Sequence, residues 1–223
     1  MPNLEQLALD LESPNMKDRM LALASLREVS AEEAVPLIKK VLNDISLQVR
    51  SMAVFALGVK QTEESYPILV NLLESEPDYG IRADAAGALG YLQDPRAVEP
   101  LIRAFYEDTE WLVRFSAAVS LGNLQDARAY DVLIQALDSE EAIVQMAAIA
   151  ALGEIRAIEA VDAILKFASS EDWMIRQRLA MALGSLPTDK SVSALKYLEK
   201  DSNPQVAESA RFALQQLQAD GLM

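Results

Sequence analysis

The sequence predicts an all-α fold, a right-handed α-solenoid of about seven stacked two-helix repeats of roughly 31 residues each. Three observations predict it. Leu, Ala, Glu and Gln, all strong helix formers, dominate a 223-residue chain that is 51% hydrophobic and holds 8 glycines. A Leu-Gly pair recurs at Leu57-Gly58, Leu89-Gly90, Leu121-Gly122, Leu152-Gly153 and Leu183-Gly184, in steps of 32, 32, 31 and 31 residues. Eight residues before each glycine stands a second marker: Arg50, Arg82, Arg114, Gln145 and Arg176. Arg19 carries that series one step back.

Cut at these markers, a single solenoid domain over 1–223 divides into repeats at about 1–29, 30–60, 61–92, 93–124, 125–155, 156–186 and 187–217, with 218–223 as a tail. The first repeat has Arg27 where glycine is expected, which suits a capping repeat. The second, third and fourth place Pro36, Pro67 and Pro100 at one equivalent site, which predicts a kink in their first helices. The fourth is the clearest. Asp94-Pro95 reads as an N-cap followed by proline at the first helical position. Val98, Leu101, Ile102 and Phe105 follow at helical spacing, Asp108-Thr109 makes the turn, and Val113, Ala117 and Leu121 share one face of a second helix. Gly122 is then either a C-terminal cap or a point of close helix contact. The fifth to seventh repeats hold Val132, Ala163 and Ala194 at the proline site and should be straighter. The last ends in Gln215, Gln216 and Gln218, again polar as a cap requires, and the chain from Ala219 is expected to fray.

Composition excludes much chemistry. With no cysteine and no histidine, the chain has no thiolate nucleophile, disulfide, zinc finger or Ser-His-Asp triad. No catalytic residue, metal site or required cofactor is expected. A net charge of −14 repels nucleic-acid backbones and anionic membranes. No stretch of 18 apolar residues is present, so no integral membrane segment is expected. The N-terminal MPNLEQLALDLESP carries Glu5, Asp10 and Glu12 and is unlike a secretory signal. A cytoplasmic protein is the simplest expectation.

Candidate functional residues fall into two series. In the arginine series, Asp44, Glu76 and Asp108 stand six residues before Arg50, Arg82 and Arg114, while Ser13, Ser139 and Ser170 precede Arg19, Gln145 and Arg176. The side chains are expected mainly to bond turns and carbonyls within and between repeats. In the aromatic series, Tyr79, Trp111 and Trp173 all sit three residues before the marker arginine, where Met16, Leu47 and Ala142 stand elsewhere. Val113 and Ile175 already supply the buried stripe, so this slot is free to line the inner, concave face as an interface anchor. Phe115 and Arg178 replace small or polar residues beside it and join the candidates. Asp84, two after Arg82, is expected to pair with a neighbouring arginine of the series. Gly80 reads as a loop residue and Gly87 as a helical one.

Residues 93–124 resemble the HEAT-like repeat of the phycobilisome-lyase family, whose pattern runs D-P-R-A-V-x-P-L-I-x-A-L, a short turn, then V-R-x-x-A-A-x-A-L-G-x-L. The resemblance covers about 30–217. By size and register the chain is most similar to the NblB-type phycobilisome-degradation members of cyanobacteria. The arginine series likewise resembles the Asp–Arg ladder of HEAT arrays. The resemblance implies a protein client, namely phycobiliprotein subunits, and transient contact with a bilin such as phycocyanobilin, whose rings would stack on Trp and whose propionates would meet Arg. Three roles stay open: binding and chaperone-like capture, bilin lyase chemistry on thioether linkages, and scaffolding of an unrelated cytosolic client such as an iron–sulfur assembly factor. The repeat specifies architecture far better than function.

Overall fold

Short polar side chains open many of the helices. Asn3, Asn15, Ser30, Asp78, Asp172 and Thr188 each accept a backbone N–H from the turn that follows, pairing donors that a helix start leaves free. A computed structural model describes residues 3–219; among them are fourteen α-helices, short 3-10 segments and no strand. The helices pair in chain order: α1 (Leu4–Asp10) with α2 (Met16–Ser25), α3 (Ala31–Lys39) with α4 (Leu47–Lys60), α5 (Ser65–Ser75) with α6 (Tyr79–Leu92), and α7 (Val98–Glu107) with α8 (Trp111–Asn123). Then come α9 (Tyr130–Ala136) with α10 (Ala142–Glu154), α11 (Val161–Ile164) with α12 (Trp173–Leu183), and α13 (Asp189–Leu198) with α14 (Pro204–Ala219). This is an all-α solenoid. Helix α14 runs on through Ala219, past the boundary placed at 217, because Leu214 and Leu217 still bury an apolar face there. The rest of the expected fraying tail lies outside the described residues.

The chain divides within α8 into two compact units, residues 1–120 and 121–223. In the first, α2, α4 and α6 pack side by side and α5 lies against α7; in the second, α10, α12 and α14 pack side by side. One buried stripe recurs in six second helices, α4 and every second one after it to α14. Val49, Ile81 and Val113 in the first unit, and Val144, Ile175 and Val206 in the second, each directly precede the marker slot and are buried. Leu57 and Leu89, then Leu121, Leu152 and Leu183, close the stripe two turns on. Residues at this spacing share one helix face, so a single helix pair leaves the stripe half covered and the next pair completes it.

The marker glycines set how closely the second helices approach. A Cβ at Gly58 would stand 2.8 Å from the Ala88 carbonyl oxygen and 2.9 Å from its Cα. One at Gly90 would meet Ser120 at 2.6 Å, and one at Gly122 would meet Ala151 at 2.8 Å. Gly153 faces Ala182 and Gly184 faces Ala213 in the same way, a few tenths of an ångström less tightly. Each glycine therefore meets a small residue two places before the next repeat's glycine slot. Of the two roles open to Gly122 the contact is the one observed. Three of these helix ends are turned three residues past the glycine by Gln61, Gln93 and Gln125, at φ of 45°, 57° and 52°, and Arg156 at 54° follows α10 likewise. Such left-handed residues end helices.

Two of the three prolines act differently from expectation. Pro67 and Pro100 are the third residues of α5 and α7, where a backbone N–H has no partner inside the helix, so neither removes a bond from it. A 3-10 turn, Pro95–Ala97, precedes α7 and shifts its start. Pro36 alone lies deeper, as the sixth residue of α3. Gly80 is also not a loop residue but the second residue of α6, started there by the Asp78 cap.

Replacing Gly58 by alanine should raise helix propensity yet lower stability, because the added methyl meets the Ala88 backbone rather than a flexible side chain. The expected loss is about 1–3 kcal/mol by urea unfolding. An unchanged or raised midpoint would mean that the close approach of α4 and α6 is not required.

Candidate docking surface

The arginine series forms a double set of bonds. Each marker side chain reaches back to the carbonyl six residues earlier: Arg19 to Ser13 at 2.8 Å, Arg50 to Asp44 at 3.1 Å, Arg82 to Glu76 at 3.0 Å, Arg114 to Asp108 at 3.3 Å, Gln145 to Ser139 at 2.8 Å and Arg176 to Ser170 at 2.7 Å. The other edge of the guanidinium reaches forward to the next repeat's turn. Arg19 binds Asp44 through Nε and Nη2 at 2.6 and 2.8 Å, Arg82 binds Asp108 at 2.7 and 3.1 Å, and Arg176 binds Asp201 at 2.7 and 3.0 Å. These are bidentate charge-assisted pairs, largely shielded from water. The same carboxylates cap their own turns, accepting N–H from Ser46, Glu110 and Asn203. Glu76 is one methylene longer and makes the looser rung, 3.5 Å from Arg50 Nη2, where Arg50 Nε is buried without a partner. Ser139 and Ser170 keep the capping role through their hydroxyls but carry no charge.

These bonds set the carboxylate ionisation. Burial works to raise Asp44 and Asp108, but the hydrogen bonds from Arg19 and Arg82, the capped N–H groups and the nearby guanidiniums outweigh it, so both lie below the ordinary carboxylate range. At Asp201 the Arg176 bond dominates in the same direction.

The aromatic series lies beside this ladder. Tyr79, Trp111 and Trp173 are the first residues of α6, α8 and α12, so each stands at a helix N-terminus. In the first unit these helix starts form a rim continuous in character: Met16 is 42% exposed, Leu47 46%, Tyr79 50% and Trp111 42%. Trp173 is half-buried, and the neighbouring Met174 is the exposed residue of that turn. Phe115, one turn beyond Trp111, is half-buried. Arg178 is exposed and acts electrostatically on Glu154.

Further exposed apolar residues of the second helices were not singled out by sequence: Phe55 and Tyr91 in the first unit, Met181 and Phe212 in the second, all about half or more exposed. Phe55 and Tyr91 meet edge to face at 5.7 Å. Phe55, Met181 and Phe212 each stand five places after their repeat's marker slot, which was the available signal. Asp84 is half-buried near Ser51 of α4 and pairs with no arginine of the ladder, since Arg82 of its own helix reaches the turns instead. Burial pushes Asp84 above the usual carboxylate range, and it does the same to Glu154. No metal-ligating cluster occurs among the described residues, and no helix there is long and apolar enough to cross a membrane.

Stacked helix pairs with a repeating inter-repeat rung define an α-helical repeat protein. The chain belongs to the HEAT-repeat family, whose model matches residues 1–90, 66–153 and 130–215. No curated protein matches it. Among solved structures it is similar to the CpcE–CpcF complex of phycocyanin lyase from Nostoc sp. PCC7120, at 21% identity and a TM-score of 0.63 over 100% of this chain and 96% of that one. It is also similar to an archaeal HEAT-like repeats protein from Thermococcus onnurineus NA1, at 15% identity and 0.60 over 98% of each. A chain of the Kap95p–RanGDP complex matches at 13% and 0.65, over 96% of this chain and 35% of that one. Likeness at these identities shows the fold alone.

The ladder predicts a pH response with a definite sign. Carboxylates with depressed folded values add stability that is complete above the unfolded pKa near 3.9 and is lost as pH falls through the folded value. Asp108→Asn should cost about 2–3 kcal/mol at pH 7. It should also flatten the decline of the urea midpoint between about pH 5 and 2 relative to the unaltered chain. Parallel declines would remove Asp108 from the account.

Proposed function

We propose that this chain is a docking scaffold for a folded protein client, a phycobiliprotein subunit, and that it serves phycobilisome degradation or bilin detachment in the manner of the NblB-type proteins. The observation that carries the docking reading is the exposed rim of Met16, Leu47, Tyr79 and Trp111. Core packing does not require these side chains, since Val49, Ile81 and Val113 already fill the stripe. Large apolar and aromatic groups held at fixed spacing on rigid helices are what interface anchors need. The likeness over full length to one chain of the phycocyanin lyase complex supports the choice of client. Capture needs no catalytic group: a scaffold that prefers the client with its chromophore loosened shifts that equilibrium by differential affinity.

A second reading, bilin lyase chemistry, draws on Asp84 and Glu154. Carboxyls raised by burial hold a proton nearer neutral pH and suit general acid catalysis at a leaving sulfur. Turnover separates the two readings, since one equivalent releasing many bilins requires catalysis.

Immobilised chain should retain isolated phycocyanin subunits. Trp111→Ala combined with Trp173→Ala should weaken retention by about tenfold or more with far-UV circular dichroism unchanged. Failure to retain any phycobiliprotein subunit would overturn the choice of client. Retention unaffected by the double substitution would remove the rim from the interface.

A further inference from the structure

Gly87 differs from every marker glycine. It lies in the interior of α6, and a Cβ built on it meets nothing within 4 Å. Glycine inside a helix is unfavourable relative to alanine, and here no neighbouring helix demands it. The residues around the gap are well defined. Asp84 is one turn before Gly87 and Tyr91 one turn after, on the same face of α6. On α4, Ser51 lies near Asp84, and Phe55, one turn further along, meets Tyr91 edge to face. The result is a notch with a carboxylate at one end, an exposed aromatic pair at the other and an open glycine floor between them.

Charge within the notch is one-sided. The other charge felt by Asp84 is the repulsion of Asp78, and among the described residues no cation pairs with it. Arg82, on the same helix, is fully engaged with Glu76, Pro77 and Asp108. Lys60 of α4 reaches the Arg27 and Val29 carbonyls instead.

We propose that the notch over Gly87 receives an arginine side chain presented by the client protein, its guanidinium bonded to Asp84 and lying against Tyr91 and Phe55. Arginine fits better than lysine because its flat guanidinium can take the carboxylate and an aromatic ring together. The chain itself displays the stacking half of this contact elsewhere, where Arg96 sits 4.5 Å over the Tyr66 ring. A side chain at 87 would occupy the space the guanidinium needs. The upward shift that burial gives Asp84 agrees with this use, since a carboxylate kept partly desolvated and without a counter-ion weakens the free fold at neutral pH.

This inference rests on the docking reading but can fail separately from it. The full chain would be titrated with the peptide acetyl-Gly-Arg-Gly-amide and followed by amide NMR shifts, with the citrulline peptide as the uncharged match. Saturating shifts at Asp84, Gly87, Tyr91 and Phe55 are expected, with the citrulline peptide at least about fivefold weaker. Asp84→Asn should abolish those shifts with far-UV circular dichroism unchanged. Gly87→Ala should raise the melting temperature by about 2–4 °C and still weaken the peptide. Shifts scattered over the acidic surface and insensitive to Asp84→Asn would overturn the proposal, as would full affinity in Gly87→Ala. If the peptide binds the notch but no phycobiliprotein subunit is retained, the notch stands and the choice of client falls. If subunits are retained and the peptide does not bind, the notch falls alone.

Discussion

The close approach of successive second helices, glycine of one repeat against alanine or serine of the next, is the constraint on which the other features depend. At Gly58, Gly90 and Gly122 there is no room for even a methyl group. Helices brought this near share one apolar stripe, so Leu57, Leu89 and Leu121 are wholly buried although each repeat supplies only part of their surroundings. The same spacing brings the next turn within reach of an arginine side chain. Nearness is thus set by the smallest residue, and position along the stack by the longest.

The ladder divides two duties that sequence alone shows as one. The carboxylate caps its own turn and also receives the arginine of the repeat before it. Serine keeps only the first duty, and glutamate keeps only a loose form of the second. Arg82, on the same helix as Asp84, is spent in this way, and among the described residues no cation pairs with Asp84. Under the proposed docking role, recognition of a partner falls to the apolar helix starts of the first unit and to the exposed Phe55–Tyr91 pair.

Much of the fold was legible in the sequence. The Leu-Gly steps fixed the period, and each of the seven segments cut at those steps holds one helix pair. The finer errors have local causes. Pro100 reads as a helix kink in the sequence because the 3-10 lead-in that delays α7 leaves no strong mark; only Pro95 hints at it. Gly122 stayed ambiguous because capping and close contact ask for the same residue, and only the left-handed Gln125 three places on settles which end turns the chain. Asp201 was missed as a ladder partner because its own repeat has Ala207 in the marker slot, so no arginine drew attention to it. Gly87 was noticed but given no role, since its value lies in what is absent around it, and a sequence does not display empty space.

Hydroxyl-radical footprinting of the chain with and without a phycocyanin subunit tests most directly whether the exposed second-helix residues are the docking surface. Protection should fall on Met16, Phe55, Tyr79, Tyr91 and Trp111, while Tyr106 on α7 and Tyr197 on α13, equally open in the free chain, keep their reactivity. Protection of Tyr106 and Tyr197 with the second-helix residues still reactive would contradict the account.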